Sequence, residues 1–173
     1  MKGSVFIATS LDGFIARTDG SIDWLPHDST EDYGYEPFMA SVDAVVMGRL
    51  SYESVLGMGG WFYGTKPVYV LSTRPISPAP EGALVDRLVG EPREVAAELD
   101  RRGVREAYID GGVTIQRFLR AGLIRRVIIT RIPVLLGTGR PLFGELAADI
   151  RLTHLRTQNW PSGLVQSEYR IGD

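Results

Sequence analysis

The 173-residue chain is 44% hydrophobic, 23% charged and 9% aromatic, an ordinary globular composition that excludes disordered, collagen-like and coiled-coil classes. It has no cysteine, which excludes disulfide scaffolds, thiolate zinc sites, iron–sulfur clusters and thiol nucleophiles. With 19 Lys+Arg against 21 Asp+Glu the formal charge is −2, so nothing demands a nucleic-acid or anionic-membrane partner.

The chain opens on a compact apolar run at 2–9, of strand type. A long polar stretch at 10–26 follows, punctuated by the turn dipeptides Asp12-Gly13 and Asp19-Gly20. Loops of that length are usually functional or mobile. Asp28-Ser29-Thr30-Glu31 fits a capping box, which predicts a helix running toward Ala40. Ala44-Val45-Val46-Met47 is a second strand, with a helix at 48–55 and a glycine and aromatic loop at 57–64. Val68-Tyr69-Val70-Leu71 is a third strand, and a proline-rich link (Pro75, Pro78, Pro80) leads to a polar stretch. A helix is predicted at 92–102, with Pro92 in its first turn and Gly103 as its stop. Ala107-Tyr108-Ile109 is a fourth strand and meets Gly111-Gly112, after which 114–121 is helical. The rest is β: a long run at 127–134, a loop at 135–144, and two strands joined by the hairpin signal Pro161-Ser162-Gly163. Strands alternating with helices imply parallel βαβ pairing, and the closing strands imply an antiparallel edge. The expectation is one α/β domain over 1–173. The apolar run at 5–8 is too short for a signal sequence, and no stretch approaches the roughly 20 apolar residues of a membrane span, so a cytoplasmic chain is expected.

In an open α/β sheet, ligands bind beyond the carboxyl ends of the strands. Three strands here end in groups suited to phosphate: Gly48-Arg49 with Ser51, then Ser72-Thr73-Arg74, then Gly111-Gly112 opening a helix. Paired glycines at a helix start let backbone N–H groups approach a pyrophosphate. Arg49, Ser51, Ser72, Thr73 and Arg74 together suit an additional phosphate monoester, through charge-assisted bonds. Each piece also has a plain reading: turn geometry for the glycines, solvated charge for the arginines, helix caps for the serines. His27 and His154 stand alone without metal-ligand spacing, and Asp19, Ser21 and Asp23 lack the twelve-residue calcium-loop pattern. No metal site is expected.

The segment Val45-Val46-Met47-Gly48-Arg49-Leu50-Ser51-Tyr52-Glu53-Ser54 resembles the Gly-Arg-x-Thr/Ser-aromatic-Glu-Ser segment of dihydrofolate reductases. Val70-Leu71-Ser72-Thr73-Arg74 is similar to their Leu-Ser-Ser strand end, and Ile109-Asp110-Gly111-Gly112 with Phe118-Leu119 to their Ile-Gly-Gly-Gly segment and following helix. Ser10-Leu11-Asp12-Gly13-Phe14-Ile15-Ala16 and the run from Ile132-Pro133-Val134 to Pro141-Leu142-Phe143 resemble still more the riboflavin-biosynthesis reductase, or RibD C-terminal-like, domain, which shares that fold.

The resemblance implies a dihydrofolate reductase-like three-layer α/β fold, with a mostly parallel central sheet and a C-terminal antiparallel hairpin. It implies NADPH as cofactor. Arg49, Ser51, Ser72 and Arg74 then correspond to the ribose 2′-phosphate contacts, with Gly48 and Thr73 beside them. Gly111, Gly112, Val113 and Thr114 correspond to the pyrophosphate turn, where the family has a cis Gly–Gly peptide. Ala8 and Ile15 correspond to the nicotinamide pocket, and 10–26 to a mobile flap. Asp28, in Trp24-Leu25-Pro26-His27-Asp28, matches an acid that holds a pterin ring, and Thr130 the threonine supporting that acid; Asp28 can equally be only a helix cap. The implied activity is hydride transfer to a small pterin- or pyrimidine-like heterocycle. The alternatives are reduction of a phosphoribosylaminouracil or of dihydrofolate, or a catalytically silent NADPH-binding module. Thr65-Lys66-Pro67 stands where dihydrofolate reductases clamp the folate tail with arginine, which argues against folate. Gly137-Thr138-Gly139-Arg140 suits a substrate phosphate or a plain turn. A homodimer through the final strands is implied as well.

Overall fold

The computed structural model of the chain describes residues 1–26 and 33–172. The elements in order are β1 (Lys2–Ser10), β2 (Phe14–Ala16), α1 (Tyr35–Ala40), β3 (Ala44–Gly48), α2 (Arg49–Gly57), β4 (Val68–Leu71), β5 (Val85–Leu88), α3 (Pro92–Arg101), β6 (Glu106–Asp110), α4 (Gly112–Arg120), β7 (Ile124–Ile132), β8 (Arg140–Pro141), β9 (Leu152–Asn159) and β10 (Val165–Ile171). Eight strands form one sheet in the order β5-β4-β3-β6-β1-β7-β10-β9, and β2 pairs with β8 separately. The sheet is parallel from β5 to β7. It ends in the antiparallel hairpin of β9 and β10, with β10 also antiparallel to β7. Among the described residues, no helix is long and apolar enough to cross a membrane.

Alternation along the central strands divides the core. Ala107 and Ile109 of β6, with Ala44 and Val46 of β3, join Val95 and Leu99 of α3 and Ile115, Phe118 and Leu119 of α4 in one cluster. Tyr108 of β6, with Val45 and Met47 of β3, joins Phe38 of α1 and Tyr52 and Val55 of α2 in the other. The sheet is therefore the middle layer, with α3 and α4 on one face and α1 and α2 on the opposite one. Ala44 through Met47 are all at 0% exposure, which is why β3 reads as an unbroken apolar run: a parallel strand between helices has no solvent face. The hairpin is different. Leu152 and Leu155 of β9 are each 48% exposed, and residues from both faces of this edge strand reach solvent.

Several elements depart from the sequence expectation. β5 lies in what reads as a polar stretch. It is an edge strand whose outward Asp86 forms an ion pair with Arg102, so it lacks the apolar signature of the interior strands. β2 and β8 fall in expected loops, being three and two residues long, too short to show a period. α1 starts only at Tyr35, with Gly34 at its N-cap at φ 82°. The capping-box residues Asp28 to Glu31 lie outside the described residues.

Candidate functional site

Strand register fixes the first half of the site. Gly48 pairs with Leu71, and Met47 with Asp110, so β4, β3 and β6 end level on adjacent strands. Their following residues form one rim. Adjacent strands lie roughly 4.8 Å apart, a spacing that a dinucleotide spans easily. After β4, the Ser72 hydroxyl accepts from the Arg74 N–H at 3.0 Å and donates to the Arg74 carbonyl at 2.8 Å, curling the chain into a tight turn. After β3, α2 begins at once with Arg49, which pairs with Glu53 one turn on. After β6, Gly111 sits at φ 85°, and α4 starts behind it.

The glycines leave room where a side chain would stand. A Cβ on Gly111 would lie 2.3 Å from Ser51 Oγ, and one on Gly48 would lie 3.2 Å from Thr114 Oγ1. A hydroxyl thus meets bare backbone at each helix start, Ser51 at the N-cap of α4 and Thr114 at the N-cap of α2, where N–H groups and the helix dipole favour an anion. The Gly111–Gly112 peptide is trans, unlike the cis bond that the resemblance implies.

Ala8, Ile15, Gly48, Arg49, Ser51, Ser72, Thr73, Arg74, Gly111, Gly112, Val113 and Thr114 all line a single cleft of about 1390 Å³. Drug-sized pockets hold roughly 300–1,000 Å³, so this cleft has space for a large ligand with a small one beside it. Over it lies the 10–26 segment, tied down at both of its shoulders. The Asp12 carboxylate accepts from Ser10 Oγ at 2.6 Å, from the Gly137 N–H at 2.7 Å and from the Leu136 N–H at 3.1 Å. These bonds, the serine first, hold its carboxyl below the usual range. Arg140, in β8, donates to the Thr18 carbonyl at 3.4 Å. Arg17 pairs with Asp23 at 2.6 Å, and Asp19 accepts from the Ser21 N–H and hydroxyl, so the loop's polar groups largely serve one another. Ile15 Cδ1 comes within 2.8 Å of where a Gly112 Cβ would be, which packs the 10–26 segment directly on the turn between β6 and α4.

The structure adds a group that the sequence reading passed over. Asp110 lines the cleft beside Tyr35, Tyr63 and Tyr108. Tyr108 Oη donates to the Phe6 carbonyl at 2.9 Å and reaches Asp110 Oδ1 at 3.4 Å. Burial pushes the Asp110 carboxyl above its usual range, against the Gly111 N–H and Tyr108 bonds that lower it. Burial, with the Asp110 charge beside it, pushes the Tyr35 phenol up to about 12, and the same two causes raise Tyr63 and Tyr108. All three phenols therefore remain protonated near neutrality. The signal was there in outline: an acid stands where the resembling segment has its first glycine. Of the expected catalytic pair, only Thr130 falls within the described residues. Asp28 lies outside them. Thr130 is buried at 5% exposure, accepts from Gln166 Nε2 at 2.8 Å, and does not line the cleft.

Comparison with known proteins places this architecture. Residues 61–166 match the RibD C-terminal domain family. The uncharacterized protein YwjB of Bacillus subtilis (strain 168) is 40% identical over 154 residues, covering 87% of each chain. The crystal structure of a Shewanella sp. PV-4 protein named for riboflavin biosynthesis is 40% identical, covers 100% of both chains and superposes with a TM-score of 0.90. A dihydrofolate reductase from Enterococcus faecalis, solved with NADP(H) and RAB-propyl, shares the fold at 20% identity and a TM-score of 0.66, over 99% of this chain and 97% of that one. With its sheet order, its helix placement and these matches in agreement, the chain belongs to the RibD C-terminal domain family, within the dihydrofolate reductase-like fold.

Proposed function

We propose that this chain is an NADPH-dependent reductase acting on a C=N or C=O bond of a small planar heterocycle. The observation that carries the reading is the single rim on which Arg49, Ser72 and Gly111 meet. The shared fold with a reductase solved with NADP(H) supports it. The residues fit the cofactor: Gly111, Gly112, Val113 and Thr114 present bare backbone and a helix N-terminus to a pyrophosphate, and Gly48 clears the space beside Thr114. Arg49, Ser51, Ser72, Thr73 and Arg74 take the 2′-phosphate. Glu53 engages one Arg49 nitrogen, and the guanidinium keeps further N–H donors for phosphate. Ala8 and Ile15 line the nicotinamide end.

When bound, NADPH supplies a hydride and leaves as NADP⁺. The chain's own task is orientation, exclusion of water by the 10–26 flap, and delivery of the balancing proton. Asp110 is placed for that delivery: a carboxyl with a raised pKa donates to the ring nitrogen beside the reduced carbon and is reprotonated from solvent. Asp28 is a second carboxyl for the same edge, and Thr130 acts at a distance through the β7–β10 hydrogen bonds. The enzyme works in the cytoplasm as a homodimer, with a second copy covering β9.

Calorimetric titration with NADPH and NADH tests the reading, followed by absorbance at the nicotinamide band across a panel of heterocycles. NADPH should bind at least about tenfold tighter than NADH, because only it carries the phosphate that charge-assisted bonds recognise. Absence of NADPH binding overturns it.

A further inference from the structure

A second cavity, of about 690 Å³, lies between α1 and the strands β7, β10 and β9, and Phe6 of β1 lines both it and the cleft. Its surroundings are polar where the same face of β3 is apolar. Glu168 of β10 is 9% exposed, and its two carboxylate oxygens accept from Arg126 Nε at 2.7 Å and Arg156 Nε at 2.6 Å. Burial opposes the charge, yet the two guanidiniums hold this carboxyl below its usual range. Gln166, also buried, donates to Thr130 Oγ1 at 2.8 Å and to the Tyr33 carbonyl at 3.0 Å, and accepts from Gln158 Nε2 at 2.9 Å. Every bond of that amide is internal, so the floor is fixed. The remaining wall is aromatic. Trp160 meets Tyr33 edge-on with centroids 5.0 Å apart, and Phe6 and Phe38 lie 5.0 Å apart beside them.

We infer that this cavity is a binding site for a small flat ring carrying one carboxylate or phosphate group. Glu168 does not line the cavity, and it engages only the Nε of each arginine, so it fixes two guanidiniums side by side without using them up. Arg126 Nη1 donates to Ser41 Oγ at 3.2 Å. Among the described residues, Arg126 Nη2 and both Nη atoms of Arg156 have no acceptor. Those N–H groups suit the oxygens of an anion, through charge-assisted bonds. Because a buried carboxylate already orders the pair, little side-chain freedom is lost when the anion arrives. Glu36 also lines the cavity, but it is exposed and stands in the first turn of α1, across from the strands that carry the arginines. The ring is covered by Trp160 and Phe6, with Gln158 Oε1 open to a donor on its edge. As a staple between β7, β10 and β9 alone, the Arg126–Glu168–Arg156 triad would require neither the cavity nor the aromatic wall beside it. The assignment stands apart from the reductase reading, since Arg126 and Arg156 do not line the cleft proposed for the cofactor.

The test follows the Trp160 indole N–H of the full chain by nuclear magnetic resonance, with the signal identified through Trp160→Phe, so that the readout is local to this cavity. Benzoate and phenyl phosphate are titrated against benzamide, benzylamine and inorganic phosphate. At least one of the two aromatic acids should move the Trp160 signal and bind about tenfold or more tighter than each of the three controls, the worth of a charge-assisted bond or of the ring contact. The ratio between the two acids then identifies the preferred anion. Arg156→Gln leaves Glu168 its bond to Arg126, so the fold is kept. It should weaken the bound acid about tenfold, with benzamide unaffected. Arg49→Ala, in the separate cleft, should leave the acid's Kd as it was. Benzamide or benzylamine binding as tightly as the acids would show an apolar groove or an acidic rim instead. Inorganic phosphate equalling phenyl phosphate would remove the ring from the assignment. A Trp160 signal that none of the five moves, or an Arg156→Gln chain that binds the acid unchanged, leaves the triad a structural staple and overturns the site.

Discussion

Three single residues bear most of the chemical weight. Arg49→Ala should weaken NADPH by about 1.5–3 kcal/mol, the worth of a hydrogen bond to a charged group, and leave NADH nearly untouched; equal losses in paired titrations would show that Arg49 does not meet the 2′-phosphate. Gly111→Ala combines a φ of 85° with a Cβ 2.3 Å from Ser51 Oγ. The left-handed backbone alone costs about 1–2 kcal/mol, so a lower melting temperature is expected together with loss of dinucleotide binding. Ser51→Gly in the same chain should recover part of the melting temperature without restoring NADPH. For Asp110, burial raises the folded pKa. Its proton thus favours the folded state fully below the unfolded value of 3.8, and that contribution disappears as pH rises through the folded pKa. Asp110→Asn should therefore raise the melting temperature at neutral pH and lose the advantage in acid. If Asp110 is the proton donor, the wild-type kcat/KM should fall as pH rises through the same pKa, and the variant should lack that limb. Arg49, Ser72 and Gly111 are legible in sequence because each stands directly after a strand and shapes its own turn. Asp110 is not, since its meaning depends on Tyr35 and Tyr63, which arrive from α1 and from the loop after α2.

Among the elements, the flap shows how little strand is needed to hold a loop over a cleft. β2 and β8 are held by a few backbone bonds, and Asp12 ties the approach to β2 to the residues before β8 through two N–H groups. Asp12→Ala should free those groups, speed hydrogen exchange at the Gly137 amide and lower kcat/KM. Since its carboxyl is held below the usual range, the tie should persist through mild acid and fail only as pH drops through that lowered pKa. The interior strands β1, β3, β4 and β6 announce themselves as apolar runs, being covered on both faces. β5 does not, because an edge strand with Asp86 and Arg87 outward reads as a linker. The fate of Thr130 has a similar cause: the match to a known segment gives its place in β7, whereas the bond to Gln166 depends on β10, 36 residues further along.

At the level of the whole molecule, the sheet is closed by helices on both faces through its parallel half and left open at its antiparallel end. An eight-residue edge strand with leucines in solvent is a template for pairing. If a second copy covers it, Leu155→Asp should shift the protein from dimer to monomer in sedimentation velocity, with NADPH affinity preserved, because β9 lies four strands from β6 and the proposed cofactor rim. The same Leu155→Asp chain sedimenting unchanged would place the dimer contact elsewhere or remove it.

The pleat of β6 has one more consequence. Tyr108 and Asp110 point to the cleft side while Ala107 and Ile109 fill the opposite core, so folding and chemistry are written into alternate letters of the same five-residue word. One extra residue inserted ahead of Glu106 would exchange the two sets, turning a carboxylate toward Ile115 and Phe118 and an isoleucine out to water. A frame error of that kind cannot spare the fold while altering the cleft: the chain would lose its interior and the carboxyl that lines the cleft in a single step.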